Sequence, residues 1–265
     1  MSTERGIVTS KHLDIARHPI GDATYVARCR SELDAVGALV LPGFFTAEAI
    51  ERVVAESAPH EGRAFYANST HNVYVTSPDP TLPADHALNR QVVSSKGLIA
   101  ADEIASDSPL REVYNNDAFR AFLCGVLGID ALFPYDDALS SVNVHFAPEG
   151  KELGWHFDNS AFAVTMLLQA PLGGAHFEYV PNLRDADAGD LAFDAVCEVL
   201  DGQVAVKRLE FRPGDLVLFR GRNALHRVTP TEGSRTRLLT VFAFNERPGM
   251  SLSESSMRTF YGRTA

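Results

Sequence analysis

Basic residues are scarce in this 265-residue chain: 24 Lys and Arg stand against 34 Asp and Glu, for a formal charge of −10. A nucleic-acid backbone is therefore not an expected partner, because binding it needs a basic face that displaces counterions. Long apolar runs are missing as well. Nothing approaches the ~18 residues of a membrane span, which removes the membrane from the expected partners. Cysteine is sparse: Cys29, Cys124 and Cys197 are odd in number and far apart. Such spacing excludes a disulfide framework and fits reduced thiols in a cytoplasmic protein. The opening MSTERGIVTSKH lacks the apolar centre of a secretory leader, which supports the same location.

What is present is an ordinary globular composition, 45% hydrophobic and 22% charged, with enough chain to bury a large core. No internal repeat or linker divides it, so a single domain over 1–265 is expected. Residues 1–138 read as a mostly helical N-terminal part and capping segment, 139–250 as a β core, and 251–265 as a C-terminal tail. CRSELDAVG has helical spacing, ALVLPG reads as a short strand, and Thr46 with Glu48 opens a helix to about Ala58. Residues 61–108 are polar, a surface excursion or a binding element. PLREVYNNDAFRAFLCGVLG, from Pro109 to Gly128, returns to helical spacing.

From Leu139 the period falls to two. In SSVNVHF, Ser141, Asn143 and His145 alternate with Val142, Val144 and Phe146. Short apolar runs follow, separated by the turn sequences APEG, LGG, RPGD and TEGS. Within them AGDLAFDAVCEVL has the spacing of an inserted helix. Helices first and about eight strands afterwards predict a mainly β protein with helices: a double-stranded β-helix, or jelly roll, with the helical part packed on one sheet.

In GWHFDNS, His156 and Asp158 are two apart. On a strand they would share a face about 6 to 7 Å apart along the chain. His226, 70 positions on, follows another strand, GDLVLFRG. Two histidines and a carboxylate form the facial triad of non-haem Fe(II) oxygenases. Two rivals have the same spacing: His12 and Asp14, in a polar stretch with no strand pattern, read as surface residues, and His176 and Glu178 read as barrel-lining or packing groups. Beyond His226, Arg235 and Arg237 share parity, so either could hold a dicarboxylate bidentately. Asn143 and His145 would face the same interior, where polar groups need partners.

These residues carry a resemblance. N-x-H-F-x-P, LGWHFD, PLGG with FEYVP, and RPGDLVLFRG with HRVTP and GSRTRLLTVF occur in the order found in the Fe(II)/2-oxoglutarate-dependent dioxygenase superfamily. WHFDNSAFAVTMLLQAPLGGAHFEYVPNLRD resembles the subgroup of free-amino-acid radical halogenases and their hydroxylase relatives. The resemblance implies Fe(II) held by His156, Asp158 and His226, with 2-oxoglutarate and O2 as cosubstrates. It implies Arg237, or else Arg235, on the distal carboxylate, with Asn143 and His145 beside it. Halogenating members carry Gly where this chain has Asp158, so hydroxylation is the implied outcome.

The implied substrate is a small free amino acid, including the basic ones such as lysine or ornithine. Candidate substrate contacts are Asp136 and Asp137 for an ammonium, Arg90 for a carboxylate, and Trp155 at the barrel mouth, packed against the N-terminal helices. Beyond the substrate, the one partner considered is a second copy of the chain in a homodimer. Three rival classes share parts of the pattern: a nucleic-acid demethylase, a cupin-type metal enzyme, and a non-catalytic jelly-roll binding module without 2-oxoglutarate.

Overall fold

Alternation along the strands sets the architecture of the computed structural model, which describes residues 10–265. Two antiparallel sheets enclose a common interior. The larger runs β1 (Ala38–Leu41), β12 (Leu216–Phe219), β8 (Ala163–Gln169), β15 (Arg237–Phe242), β6 (Val142–Ala147), β5 (Gly97–Ile99) and β2 (Phe65–Tyr66). The smaller runs β11 (Lys207–Leu209), β10 (Phe177–Val180), β13 (Leu225–Val228), β7 (Leu153–His156), β4 (Val92–Ser94) and β3 (Ser69–His71). A short ribbon pairs β14 (Thr231–Glu232) with β9 (Gly173–Gly174). The chain thus has the jelly-roll architecture expected, with its helices ahead of most of the strands.

The parity of each strand decides which side chains see helices and which see the interior. On the large sheet the even positions Val142, Val144, Phe146, Val164, Met166, Leu216, Leu218 and Phe242 belong to the main core. They share it with Tyr25, Cys29 and Leu33 of α1 (Ala23–Val36), Ala49 and Val53 of α2 (Ala47–Ser57), and residues of α3 (Pro109–Tyr114) and α4 (Asp117–Leu127). The odd positions His145, Ala147, Thr165, Val217, Phe219, Arg237, Leu239 and Val241 line a cavity between the sheets. Burial of the even face is the main driving force for docking helices here, at about 25 cal/mol per Å² of apolar area removed from water.

Local chemistry fixes the helix ends. Thr46 caps α2 by accepting from Ala49 N–H at 3.3 Å, as expected from the sequence. The Pro109–Gly128 stretch forms two helices where one pattern was read. Asn116 accepts from Phe119 N–H at 3.0 Å and starts α4 as a new helix, because an Asn side chain competes for backbone donors best at a cap. The inserted helix α5 (Phe193–Leu200) is present. It packs with Trp155, Phe157 and Leu225 on the outer face of the small sheet.

Two segments contribute more than their composition suggested. The polar stretch from 61 to 108 supplies β2 and β5 to one sheet and β3 and β4 to the other. Residues 254–261, read as tail, form α6 (Glu254–Tyr261), whose Met257 and Tyr261 pack with Leu98, Ala100 and Leu139. Residues 1–9 of the opening MSTERGIVTSKH lie outside the described residues. Among the described residues, no helix is long and apolar enough to cross a membrane.

Candidate active site

His156 on β7 and His226 on β13 are direct cross-strand partners, so both rings leave the small sheet on its inner face. Their centroids are 4.1 Å apart. Each Nδ1 lies against a backbone carbonyl, that of Gly154 at 2.8 Å and that of Ala224 at 2.9 Å. A carbonyl can only accept, so Nδ1 carries the proton and Nε2 presents its lone pair to the interior. Asp158 follows the end of β7, its N–H donating to the Gly221 carbonyl at 3.1 Å. Its Oδ1 lies 3.7 Å from His156 Nε2 and 3.6 Å from His226 Nε2.

This donor set fits a divalent cation. The three ligand atoms lie within 4.8 Å of one another, and Asp158 Oδ2 is buried without a hydrogen-bond partner. Burial and the neighbouring His226 hold the His156 imidazole well below its usual pKa, hence neutral. Burial opposes ionisation of Asp158, but the neighbouring His226 outweighs it and holds the carboxyl below its ordinary value. For His156 and Asp158 these are the forms that bind metal.

Gly221 makes room for this arrangement. A Cβ there would lie 1.9 Å from Asp158 Oδ2, closer than any nonbonded contact. Gly221→Ala is therefore expected to rotate the carboxylate off the triad and weaken divalent-metal binding by about 10- to 100-fold, the range for losing a ligand's support. Titration with Mn(II) of folded protein checks this. Unchanged affinity would show that Asp158 has another route to the same position.

The cavity beside the triad measures about 190 Å³. Its apolar wall includes Phe177, Val217, Phe219 and Leu239, and its polar groups include Lys96, His145, Glu152 and Arg237. Arg237 is only 7% exposed and forms no ion pair or hydrogen bond among the described residues. Burial lowers its pKa to about 10, which leaves it charged at neutral pH. A buried guanidinium without an anion is costly. His145 is held neutral by burial and by the positive charges of Lys96 and Arg237.

Several sequence candidates lie elsewhere. Arg235 precedes β15, is exposed, and donates to the Pro171 carbonyl at 3.1 Å. Its shared parity with Arg237 meant nothing outside the strand. Asn143 is buried two residues before His145 on the same face of β6, opposite Val241, with its Oδ1 unpartnered. Arg90 pairs with Asp201 at 2.7 Å. Asp137 accepts from the N–H groups of Leu139, Ser140 and Leu252 at 3.0, 2.9 and 3.0 Å, and Asp136 is exposed. Trp155 points away from the cavity, packs against α5 instead of the N-terminal helices, and lies 4.7 Å below the Arg227 guanidinium. None of Arg90, Asp136, Asp137 or Trp155 lines the cavity.

The rival His-x-acid pairs are structural. Glu178 is buried and accepts from Arg208 and Arg227 at 3.1 and 2.9 Å, while His176 is exposed. His12 is buried instead of lying on the surface, with Nε2 3.0 Å from Glu112. Sequence reasoning missed Lys96 as a cavity residue. It lies in LNRQVVSSKG, the stretch from which Arg90 was chosen, and its only signal was a lysine next to the glycine that opens a strand.

Known proteins resemble this chain in family and in fold. The model of the family described as Halogenase D matches residues 85–261. No curated protein matches the chain. Similar solved structures include an oxidoreductase of the 2OG-Fe(II) oxygenase family from Burkholderia pseudomallei, at 14% identity and TM-score 0.54, covering 85% of this chain and 93% of that one. A Pseudomonas putida prolyl-4-hydroxylase matches at 14% identity and TM-score 0.51, covering 82% and 96%. HygX from Streptomyces hygroscopicus, with nickel, 2-oxoglutarate and hygromycin B bound, matches at 17% identity and TM-score 0.51, covering 85% and 89%. At these identities the structures speak for the fold.

Proposed function

The chain belongs to the Halogenase D family and is an Fe(II)/2-oxoglutarate-dependent oxygenase, and from that premise we propose that it hydroxylates an unactivated C–H bond of a free amino acid. The observation that carries the choice of hydroxylation is Asp158, a carboxylate facing both imidazoles across 3.6 to 3.7 Å. In this reading His156, Asp158 and His226 hold the iron. The bound metal, with 2-oxoglutarate and O2, supplies the oxidation, and the products are the alcohol, succinate and CO2.

The protein's share is positioning and exclusion of water. Arg237 takes the distal carboxylate of 2-oxoglutarate, which gives its buried charge a partner. Neutral His145 offers a hydrogen bond along the same wall, and Phe177, Phe219 and Leu239 keep the surroundings apolar. Glu152 is the cavity-lining carboxylate outside the triad, available to an ammonium in place of Asp136 and Asp137. Lysine and ornithine are therefore the first substrates to try. A cupin-type enzyme or a binding module would leave Arg237 without purpose.

Arg237→Ala is expected to weaken 2-oxoglutarate binding by about two to three and a half orders of magnitude, from about 3 to 5 kcal/mol lost when one partner of a buried charge pair is removed. The amino-acid requirement should change far less. An equally large effect from Arg235→Ala would reverse the assignment. Succinate released from 2-oxoglutarate, with and without a panel of free amino acids, tests the whole reading. Stimulation by a basic amino acid, with a product heavier by one oxygen, is the expected result. Succinate formation that no amino acid stimulates would remove the substrate class.

A further inference from the structure

Lys96 has no role in the reading above, yet its position is tightly determined. It sits between β4 of the small sheet and β5 of the large one, where the chain crosses from one sheet to the other. Both neighbours are pinned. Ser95 N–H donates to the Glu152 carbonyl at 3.0 Å, and Glu152 N–H donates to Ser95 Oγ at 3.2 Å. Gly97 pairs with Phe146 and sits so close under the Tyr66 ring that a Cβ would be 2.6 Å from it. The lysine between them lines the cavity.

Its ammonium lies near enough to Asp158 and Arg237 to feel both charges, and in turn acts on His145 and His156. It therefore shares one cavity with the triad, His145 and Arg237. Among the described residues it has neither an ion pair nor a hydrogen bond. Burial pushes its pKa down to about 8, with Asp158 opposing and Arg237 adding to the shift. An ammonium held in a cavity without a counterion is unfavourable until an anion arrives.

Charge balance identifies the anion. A divalent cation on one carboxylate leaves a single positive charge at the triad, and Arg237 adds a second. Lys96 adds a third to the same lining, and a dicarboxylate is the ligand of the proposed reaction that can pair with more than one of these cations. We infer that Lys96 is a second cationic anchor of the cosubstrate pocket, pairing with a carboxylate of 2-oxoglutarate in the cavity it shares with the triad and Arg237. The inference rests on the 2-oxoglutarate reading above.

The test is direct binding. 2-Oxoglutarate is titrated into anaerobic protein loaded with Mn(II) and followed by calorimetry, for the unmodified chain, Lys96→Met and Lys96→Arg. Lys96→Met should weaken binding by 10-fold or more, and Lys96→Arg should recover most of it. A second readout is thermal: Lys96→Met should melt no lower than the unmodified protein in the absence of ligand, because an unpaired buried charge has been removed. The stabilisation that 2-oxoglutarate adds should shrink. Lys96→Met binding 2-oxoglutarate within threefold of the unmodified protein overturns the inference. Failure of the unmodified, metal-loaded protein to bind 2-oxoglutarate would instead overturn the functional reading itself.

Discussion

His226→Ala is expected to abolish metal-dependent succinate formation and to weaken divalent-metal binding by more than 100-fold, beyond the range for losing a ligand's support. His226 is 5% exposed and packs against the rings of Phe177 and Phe219, at centroid distances of 5.6 and 4.9 Å. Truncation therefore removes a ligand and also opens a void, and the two effects must be separated. His226→Gln keeps most of the volume and should lose metal all the same. His12→Ala is the matched control, since it removes a buried histidine distant from the triad. Because His12 is as buried as His226, its truncation costs packing as well as the contact with Glu112, and a lower melting temperature with metal binding intact is the expected result. Equal loss of metal binding in His226→Gln and His12→Ala would mean that both act through the fold and that the triad is not the centre.

Alternation was the part of the fold most legible in the sequence. In SSVNVHF a period of two marked one polar and one apolar face, and the structure turns the apolar face to the helices and His145 of the polar face to the interior. His156, Asp158 and His226 could be brought together because strand parity and order along the chain are local facts. The cations of the cavity were harder. Arg237 and Arg235 have identical parity, but only Arg237 lies within β15, and where a strand begins depends on pairing with β6 and β8. Lys96 was invisible because its strands are three residues long and draw their stability from β6 and β7. No period survives in so short a run. Asp137 illustrates the opposite error: adjacent acids before the barrel suggested a cation site, while the carboxylate of one serves three backbone N–H groups. Turn chemistry and ligand chemistry use the same residue types, and only the donors within reach distinguish them.

Turnover in high chloride should give a product heavier by one oxygen and free of chlorine, even though the chain belongs to a family named for halogenation. Asp158 supplies both reasons. Its carboxylate occupies the side of the triad where an anionic ligand would otherwise approach, with Gly221 packed directly behind it. It is also ionised, and two like charges about 4 Å apart repel by about 4 kcal/mol at an effective dielectric constant of 20. Asp158→Gly removes the obstruction and the repulsion together. It leaves a space bordered by Gly221, which has no side chain, within the field of Lys96. Chloride could enter there, so a minor chlorinated product is expected from this variant, with a loss in total turnover of at least 100-fold because a metal ligand is gone. The two measurements answer separate questions. An Asp158→Gly protein that binds metal and chloride but only hydroxylates would show that substrate placement, not the vacancy, selects the transferred group. A chlorinated major product from the unmodified protein, read by the isotope pattern in mass spectrometry, would overturn the assignment of hydroxylation.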